Sequence, residues 1–401
     1  MLHSVRHGRH RSISLTRAAR HALRRQYSST RPPPPIAFAF DIDGVLLRSS
    51  TPIPGAAESL SLLQQKKIPF ILLTNGGGKT EEQRVQDINR KLSLPQPLET
   101  SQIVQSHTPL RDFASIKTQE KYKHKTVLVC GGDGDRSRLA AESYGFTNVL
   151  TPADIYTAYP EIMPFSRNFA DYHASFARPL PRPINPSDPT NSLKIDVTFI
   201  FNDPRDWALD VQLVLDILLS HAGILGTYSP LNGRRDLPNR GYQQDSQPPL
   251  YFSNPDLLWA SAYPLSRLGQ GGFHAALQGV WHALTHGATL HSTVIGKPHA
   301  STYEFAEDIL LEHRQTIWGL SRMAARQGLQ RVYMIGDNPE SDIKGANEYR
   351  SAAGVEWRSI LVKTGVYKAR EGEEPSQTPK MIVEDVREAV EWALRDGGVD
   401  S

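Results

Sequence analysis

Four short polar clusters in the 401-residue chain each follow an apolar run: Asp41-Ile42-Asp43-Gly44, Thr74-Asn75-Gly76, Lys297-Pro298, and Gly336-Asp337 through Asp342. Two carboxylates two residues apart at a strand end can divide labour, one attacking while the other donates and accepts a proton. Acids this close repel unless a cation joins them, and Mg2+ prefers carboxylate and carbonyl oxygens in octahedral geometry. Asp337 adds a further acid, Thr74 a hydroxyl, the residues after it backbone N–H groups, and Lys297 a compact positive charge. Together they suit a phosphoryl group, with donors and a metal for its oxygens and an in-line nucleophile for its phosphorus. One such cluster alone is more often a turn or a helix cap. Four in this order, each behind an apolar run, are far more specific.

The apolar runs read as strands that carry these clusters at their ends. Ile36 to Phe40 is apolar at every position, as suits a strand buried on both faces of a parallel sheet. Ala56 to Gln65 has helical periodicity, Ile68 to Leu73 is a second strand, and Glu81 to Leu92 a second helix. The same alternation returns late in the chain. Thr293 to Ile295 leads into Lys297, a helix is expected over Ser301 to Glu312, and Val332 to Ile335 leads into Asp337. A helix around Asp342 to Tyr349, a strand over Ser359 to Thr364 and a helix over Val383 to Leu394 close the pattern. This is the grammar of a doubly wound α/β fold, whose ligands bind beyond the strands' carboxyl ends. Between the halves lie strands at Val127 to Cys130, Val197 to Phe201 and Tyr251 to Ser253, and a helix at Trp207 to Ser220. Two long loops, Pro160 to Pro189 and Tyr228 to Pro249, read as decoration or partial disorder. The expected organisation is a core formed by 36–102 and 288–401, with 103–287 inserted.

Charge is unevenly spread. Residues 1–35 hold eight Arg and no acid, which leaves 37 basic against 42 acidic residues in the remainder. A mildly acidic body argues against a nucleic-acid-binding face. The first ~30 residues have the composition of a mitochondrial transit peptide, basic, Ser-rich and acid-free, and Arg25-Gln26-Tyr27-Ser28 resembles a matrix-processing site. The alternative is a basic arm for RNA or anionic lipid. Pro32 to Pro35 form a stiff spacer. A single Cys excludes an intramolecular disulfide framework, and no apolar run is long enough for a membrane-spanning helix.

The ordered set of clusters resembles the haloacid dehalogenase (HAD) superfamily, and within it class IIA, which carries a large C2-type cap between the second and third motifs. Pro52 to Ala56, Asn254-Pro255-Asp256 and Ile360 to Gly365 support that branch, while Gly145 to Pro152 and Asp203 to Trp207 resemble its mitochondrial cat eye syndrome critical region protein 5 group. The resemblance implies a Rossmann-like core and a phosphatase acting on a small phosphorylated metabolite. It implies Asp41 as nucleophile, Asp43 as general acid/base, Thr74 and the Asn75 amide on the phosphoryl oxygens, and Lys297 as counter-charge. Mg2+ would be held by Asp41, the Asp43 carbonyl, Asp337 and Asp342. Gly76, Asn254 and Asp256 are expected to touch substrate, Asn254 and Asp256 having turn chemistry as the even alternative. A homodimer through the cap is compatible with the resemblance. Two other readings remain: a silent binding or assembly module, and a phosphatase acting on glycerophospholipid-related phosphates.

Other features read as structural. Gly131-Gly132-Asp133-Gly134-Asp135 is a tight turn, Cys130 a buried core residue, and His107 and His299 satisfied or solvent-facing. Asp203, Arg205 and Asp206 read as an ion-pair cluster of the cap, with a specificity site as the alternative.

Overall fold

The computed structural model describes residues 32–259, 263, 265–368 and 372–399. The basic segment expected to act in targeting, residues 1–31, lies outside them. Strand β1 (Ile36–Phe40) is buried throughout. Phe38 and Phe40 pack with Leu60, Leu63 and Val390 on one face of the sheet, while Ala37 and Ala39 pack with Tyr303, Ala306 and Leu310 on the other. Burial on both faces is why the segment carries no polar alternation. Helix α1 (Ala56–Gln65), β2 (Phe70–Leu73), α2 (Glu81–Leu92) and β3 (Ile103–Val104) follow. Thr80 starts α2 with a reciprocal cap: its hydroxyl accepts the Gln83 amide and its own amide donates to the Gln83 side chain.

The chain then builds a second sheet. In order come β4 (Thr126–Cys130), α3 (Arg136–Ser143), β5 (Asn148–Leu150), α4 (Pro152–Ala158), α5 (Ala170–Ala174), β6 (Val197–Ile200), α6 (Trp207–Leu219) and β7 (Leu250–Phe252). A hairpin of β8 (Leu258–Trp259) and β9 (Arg267–Leu268), α7 (Gln270–Leu284) and β10 (Thr293–Val294) complete the insertion. The first sheet resumes with α8 (Ala300–Trp318), β11 (Arg331–Gly336), α9 (Lys344–Glu348), β12 (Glu356–Val362), β13 (Met381–Val383) and α10 (Val386–Asp396).

Both large sheets are parallel. The first runs β13-β12-β11-β1-β2-β3, so the winding direction reverses between β1 and β11. Phe40 pairs with Ile335 there, which makes Asp41 and Gly336 leave the sheet side by side. The second runs β10-β7-β6-β4-β5 and reverses between β4 and β6. Each reversal opens a crevice at the carboxyl edge, the usual ligand position of such sheets.

Three features differ from the sequence reading. Thr293–Val294 joins the inserted sheet beside β7, because the chain stays hydrogen-bonded to it until the Ile295 amide meets Phe252 O at 2.8 Å. The long loops are packed rather than loose. Fully buried Arg138 binds Asp154 at 2.9 and 3.0 Å, Thr151 Oγ1 at 3.2 Å and Phe176 O at 3.2 Å, fastening the Pro-rich loop to α3 and α4. Asn239 and Gln243 tie the second loop to the backbone at Thr289 and His291. Last, Val383, expected to open the closing helix, ends an edge strand (Met381–Val383), and the helix starts at Val386.

Candidate active site

Lys297 brings the first sheet's crevice together. Its buried ammonium donates to Asp41 Oδ1 at 2.6 Å, Asp342 Oδ1 at 2.7 Å and Leu73 O at 2.8 Å, which uses all three of its protons. Asp342 lies in a single π-type turn (Pro339–Ile343), and its Oδ2 accepts the amides of Asp337 at 3.1 Å and Asn338 at 3.0 Å. Asp337 Oδ2 accepts the Val366 amide at 2.5 Å. Gly44 and Gly365 flank that carboxylate so closely that a β-carbon on either would collide with it, and Gly44 also has φ 91°. Asp41, Asp337 and Asp342 each present an oxygen, all within 4.8 Å of one another.

Three buried acids against one lysine leave excess negative charge. Burial raises Asp41 well above the usual carboxylate range; Lys297 opposes this, while Asp342 and Asp337 add to it. Burial, reinforced by Asp342, pushes Asp337 up to about 7. Burial pulls the Lys297 ammonium down, yet the adjacent Asp342 and Asp41 outweigh it and hold its pKa above the ordinary value.

The loop after β2 forms the second wall. Thr74, buried, accepts the Gly76 amide on Oγ1 at 2.9 Å. A β-carbon on Gly76 would point at Thr74 Oγ1 and the Asp43 carboxylate, so those groups face one another across the glycine. Asp43 itself is turned outward, its side chain 57% exposed and paired with Arg84 of α2 at 3.3 Å. It therefore stands apart from the three-acid group. Its carboxylate was expected to serve proton transfer; here it faces Arg84.

Asn75 does more than lend an amide. Its Nδ2 donates to Lys297 O at 2.9 Å and its Oδ1 accepts the Lys297 amide at 2.8 Å, clamping the peptide that carries the lysine. The same Nδ2 donates to Asp256 Oδ2 at 3.1 Å, reaching the insertion. Burial lifts Asp256 to about 6, against the Asn75 hydrogen bond and Lys297. Asn254 instead makes a turn, its Oδ1 accepting the Asp256 amide at 2.8 Å. Of the two, Asp256 reaches the crevice through its side chain.

Sequence reasoning missed the Gly44–Gly365 slot, the Val366 amide, the Leu73 carbonyl and Arg84. The only available hint was Thr364-Gly365 at a strand end. His107 is satisfied: Nε2 accepts the Gly78 amide at 3.2 Å, and Nδ1 lies 2.7 Å from the Tyr144 hydroxyl. Asp203, Arg205 and Asp206 do not form the expected ion-pair cluster: the Arg205 guanidinium donates to the Asp203 carbonyl at 2.7 Å, while Asp206 caps α6 through the Leu209 amide and faces His173 at 3.3 Å. Cys130 is buried.

Two family profiles match this chain: haloacid dehalogenase-like hydrolase over residues 38–147 and HAD-hydrolase-like over 294–389. Mitochondrial hydrolase YKR070W of Saccharomyces cerevisiae is 39% identical over 374 residues, spanning 90% of this chain and 95% of that protein. The chain belongs to the HAD superfamily of hydrolases. Its insertion between the second and third clusters is the arrangement of class IIA HAD proteins. A second relative, 39% identical over 371 residues, is a cardiolipin synthase (CMP-forming)/mitochondrial hydrolase fusion protein of Schizosaccharomyces pombe. That match spans 92% of this chain and 54% of the fusion protein. The p-nitrophenyl phosphatase of Archaeoglobus fulgidus shares the fold, with TM-score 0.51 and 16% identity over 90% of this chain and all of that one.

Proposed function

We propose that this HAD hydrolase is a phosphatase that hydrolyses a small phosphate monoester through an aspartyl-phosphate on Asp41, with Mg2+, in mitochondria. The observation that supports it most is the convergence of Asp41, Lys297, Asp337 and Asp342 within one buried crevice. Lys297 occupies Asp41 Oδ1, which leaves Oδ2 to attack phosphorus in line with the departing alkoxide. Asp43, leaving Arg84, gives that alkoxide its proton. It then takes one from the water that cleaves the acyl phosphate, restoring Asp41 and releasing inorganic phosphate. The Thr74 hydroxyl and the Asn75 amide hold non-bridging oxygens, and Lys297 offsets their charge.

The residues fit a hard divalent cation. Three buried carboxylates are only partly balanced by one ammonium, and the donors are all oxygen. Asp41, Asp337 and the Asp43 carbonyl would hold it. Asp342, whose oxygens are committed to Lys297 and two amides, would act through water. Bound there, Mg2+ would neutralise and orient the phosphoryl oxygens.

Hydrolysis of p-nitrophenyl phosphate and of a metabolite panel, with Mg2+, tests the reading. Wild type turns over and Asp41→Asn falls by at least about 1,000-fold; equal inactivity of both would defeat it. Mitochondrial residence is supported by the acid-free, Arg-rich residues 1–31 and by the names of both relatives. Loss of import on deleting 1–31 checks it, with the matrix as the expected compartment. The fusion to a cardiolipin synthase in one relative favours a second reading, in which the ester is a glycerophospholipid-related phosphate. Including glycerophosphate esters and lipid phosphates in the panel separates the two.

A further inference from the structure

Arg84 stands at the corner of the crevice where the leaving group must lie. Its guanidinium meets Asp43 Oδ2 at 3.3 Å. A β-carbon on Gly76 would lie 3.7 Å from that same oxygen and 3.2 Å from Thr74 Oγ1. The carboxylate that protonates the departing alkoxide, the hydroxyl that holds a phosphoryl oxygen and the guanidinium therefore share one wall. Thr80 caps the start of α2, and Val85, Ile88 and Leu92 are buried along it, so Arg84 is carried on a fixed element.

That guanidinium has donors to spare. Its side chain is 16% exposed, and among the described residues Asp43 is its one hydrogen-bond or ion-pair partner, through a single long contact. A guanidinium carries five N–H donors, so most of them meet no protein acceptor. The acids of α2 itself are engaged elsewhere. Glu81 accepts the Thr108 and Tyr144 hydroxyls, each at 2.5 Å, and Glu82 accepts from Gln86 at 3.3 Å. Asp87 pairs with Lys79, Arg90 and Lys91 at 3.5, 2.6 and 3.1 Å. When Asp43 turns to the leaving oxygen, Arg84 loses its counter-charge and none of these acids is free to replace it. A largely buried cation without a counter-charge is costly. The group beside it at that moment is the leaving alcohol.

We infer that Arg84 is a specificity-determining residue that binds an oxyanion carried on the leaving alcohol, a carboxylate or a second phosphate. Such a substrate takes the place of Asp43 on the guanidinium and so releases the acid for proton transfer, whereas a neutral alcohol leaves Asp43 held by its own ion pair. The planar fork of Arg84 suits a two-oxygen acceptor. The inference rests on the phosphatase reading above and names the class of its substrate: phosphate esters of anionic alcohols.

Two matched substrate pairs, assayed with Mg2+, test it. One is 3-phosphoglycerate against glycerol 3-phosphate, in which a carboxylate replaces a hydroxymethyl group; the other is propanediol bisphosphate against its monophosphate. In at least one pair, wild type has a kcat/KM for the anionic member about tenfold or more above the neutral one, and that pair identifies the oxyanion. Arg84→Met lowers this ratio about 10- to 100-fold, the worth of one charged contact. Arg84→Lys, which keeps the charge without the fork, falls between. Each ratio is taken within one preparation, so partial unfolding of a variant cancels, and a merely structural role would lower both members alike. Wild type that turns over esters without favouring the anionic member of either pair overturns the inference, as does a ratio unchanged in Arg84→Met. Wild type inactive on every ester, p-nitrophenyl phosphate included, defeats the phosphatase reading and this inference with it.

Discussion

The two parallel sheets are built alike and used differently. Each reverses its winding and opens a crevice at its carboxyl edge: between β1 and β11 in the core, between β4 and β6 in the insertion. In the core, the crevice gathers three acids and a lysine whose partners leave Asp41 Oδ2 available. In the insertion, the chain fills the crevice itself. The Tyr172 hydroxyl of α5 accepts the Gly134 amide at 2.8 Å, and His173 faces Asp206. The Gly-rich turn that could cradle an anion is already occupied by a phenol. A crevice at a topological reversal is thus an opportunity for binding, and whether it remains one depends on what the rest of the chain places there.

The contrast breaks if changes in the two crevices have similar consequences. The largest expected effect on activity is from Lys297→Met, which removes the only cation among the three acids. Turnover of p-nitrophenyl phosphate should fall about 1,000-fold or more. Arg138→Leu leaves Asp154 buried without its partner, and should lower unfolding free energy by about 3–5 kcal/mol with little change in kcat/KM for whatever protein remains folded. Urea titration followed by assay of the native fraction checks this. A strong activity loss in Arg138→Leu with stability intact would mean that the inserted crevice is functional.

Asn75→Ala sharpens the comparison at the junction. Losing two contacts to the Lys297 peptide misplaces the ammonium, and kcat/KM should drop about 10- to 100-fold, measured with and without saturating Mg2+. The smallest effect concerns Asp256. Its folded pKa of about 6 exceeds the ordinary 3.8, so the folded state binds the extra proton. The stability this supplies is fully present below about pH 4 and is lost as pH rises through about 6. Asp256→Asn removes that dependence. Thermal unfolding at about pH 4 and pH 7 should show the variant gaining about 1–3 kcal/mol on wild type at the higher pH.

Much of this was legible in the sequence where the code is local. Helices α1 and α2 occupy the spans their periodicity indicated, and the strands that end at Asp41 and Thr74 are apolar throughout because both faces are covered; the strand that ends at Asp337 is buried from Val332 on, after Arg331 at its start. What escaped was long-range. Strand β10 is two residues long, and nothing in Thr293-Val294 says which sheet it joins. The Asn75 clamp spans 222 positions, and Arg84 reaches Asp43 across 41. Arg138 holds the Pro-rich loop by one buried guanidinium, a contact that a Pro count cannot reveal.

Ile295 is the last residue bonded to the inserted sheet, and Lys297 is two positions on, its backbone gripped by Asn75. Gly296, at φ 92°, is the only joint between them. No slack linker separates the inserted sheet from the lysine that faces the three acids. The place of that ammonium is therefore set by the inserted sheet as much as by the core: the last hydrogen bond of one layer and the counter-charge of the other are two residues apart.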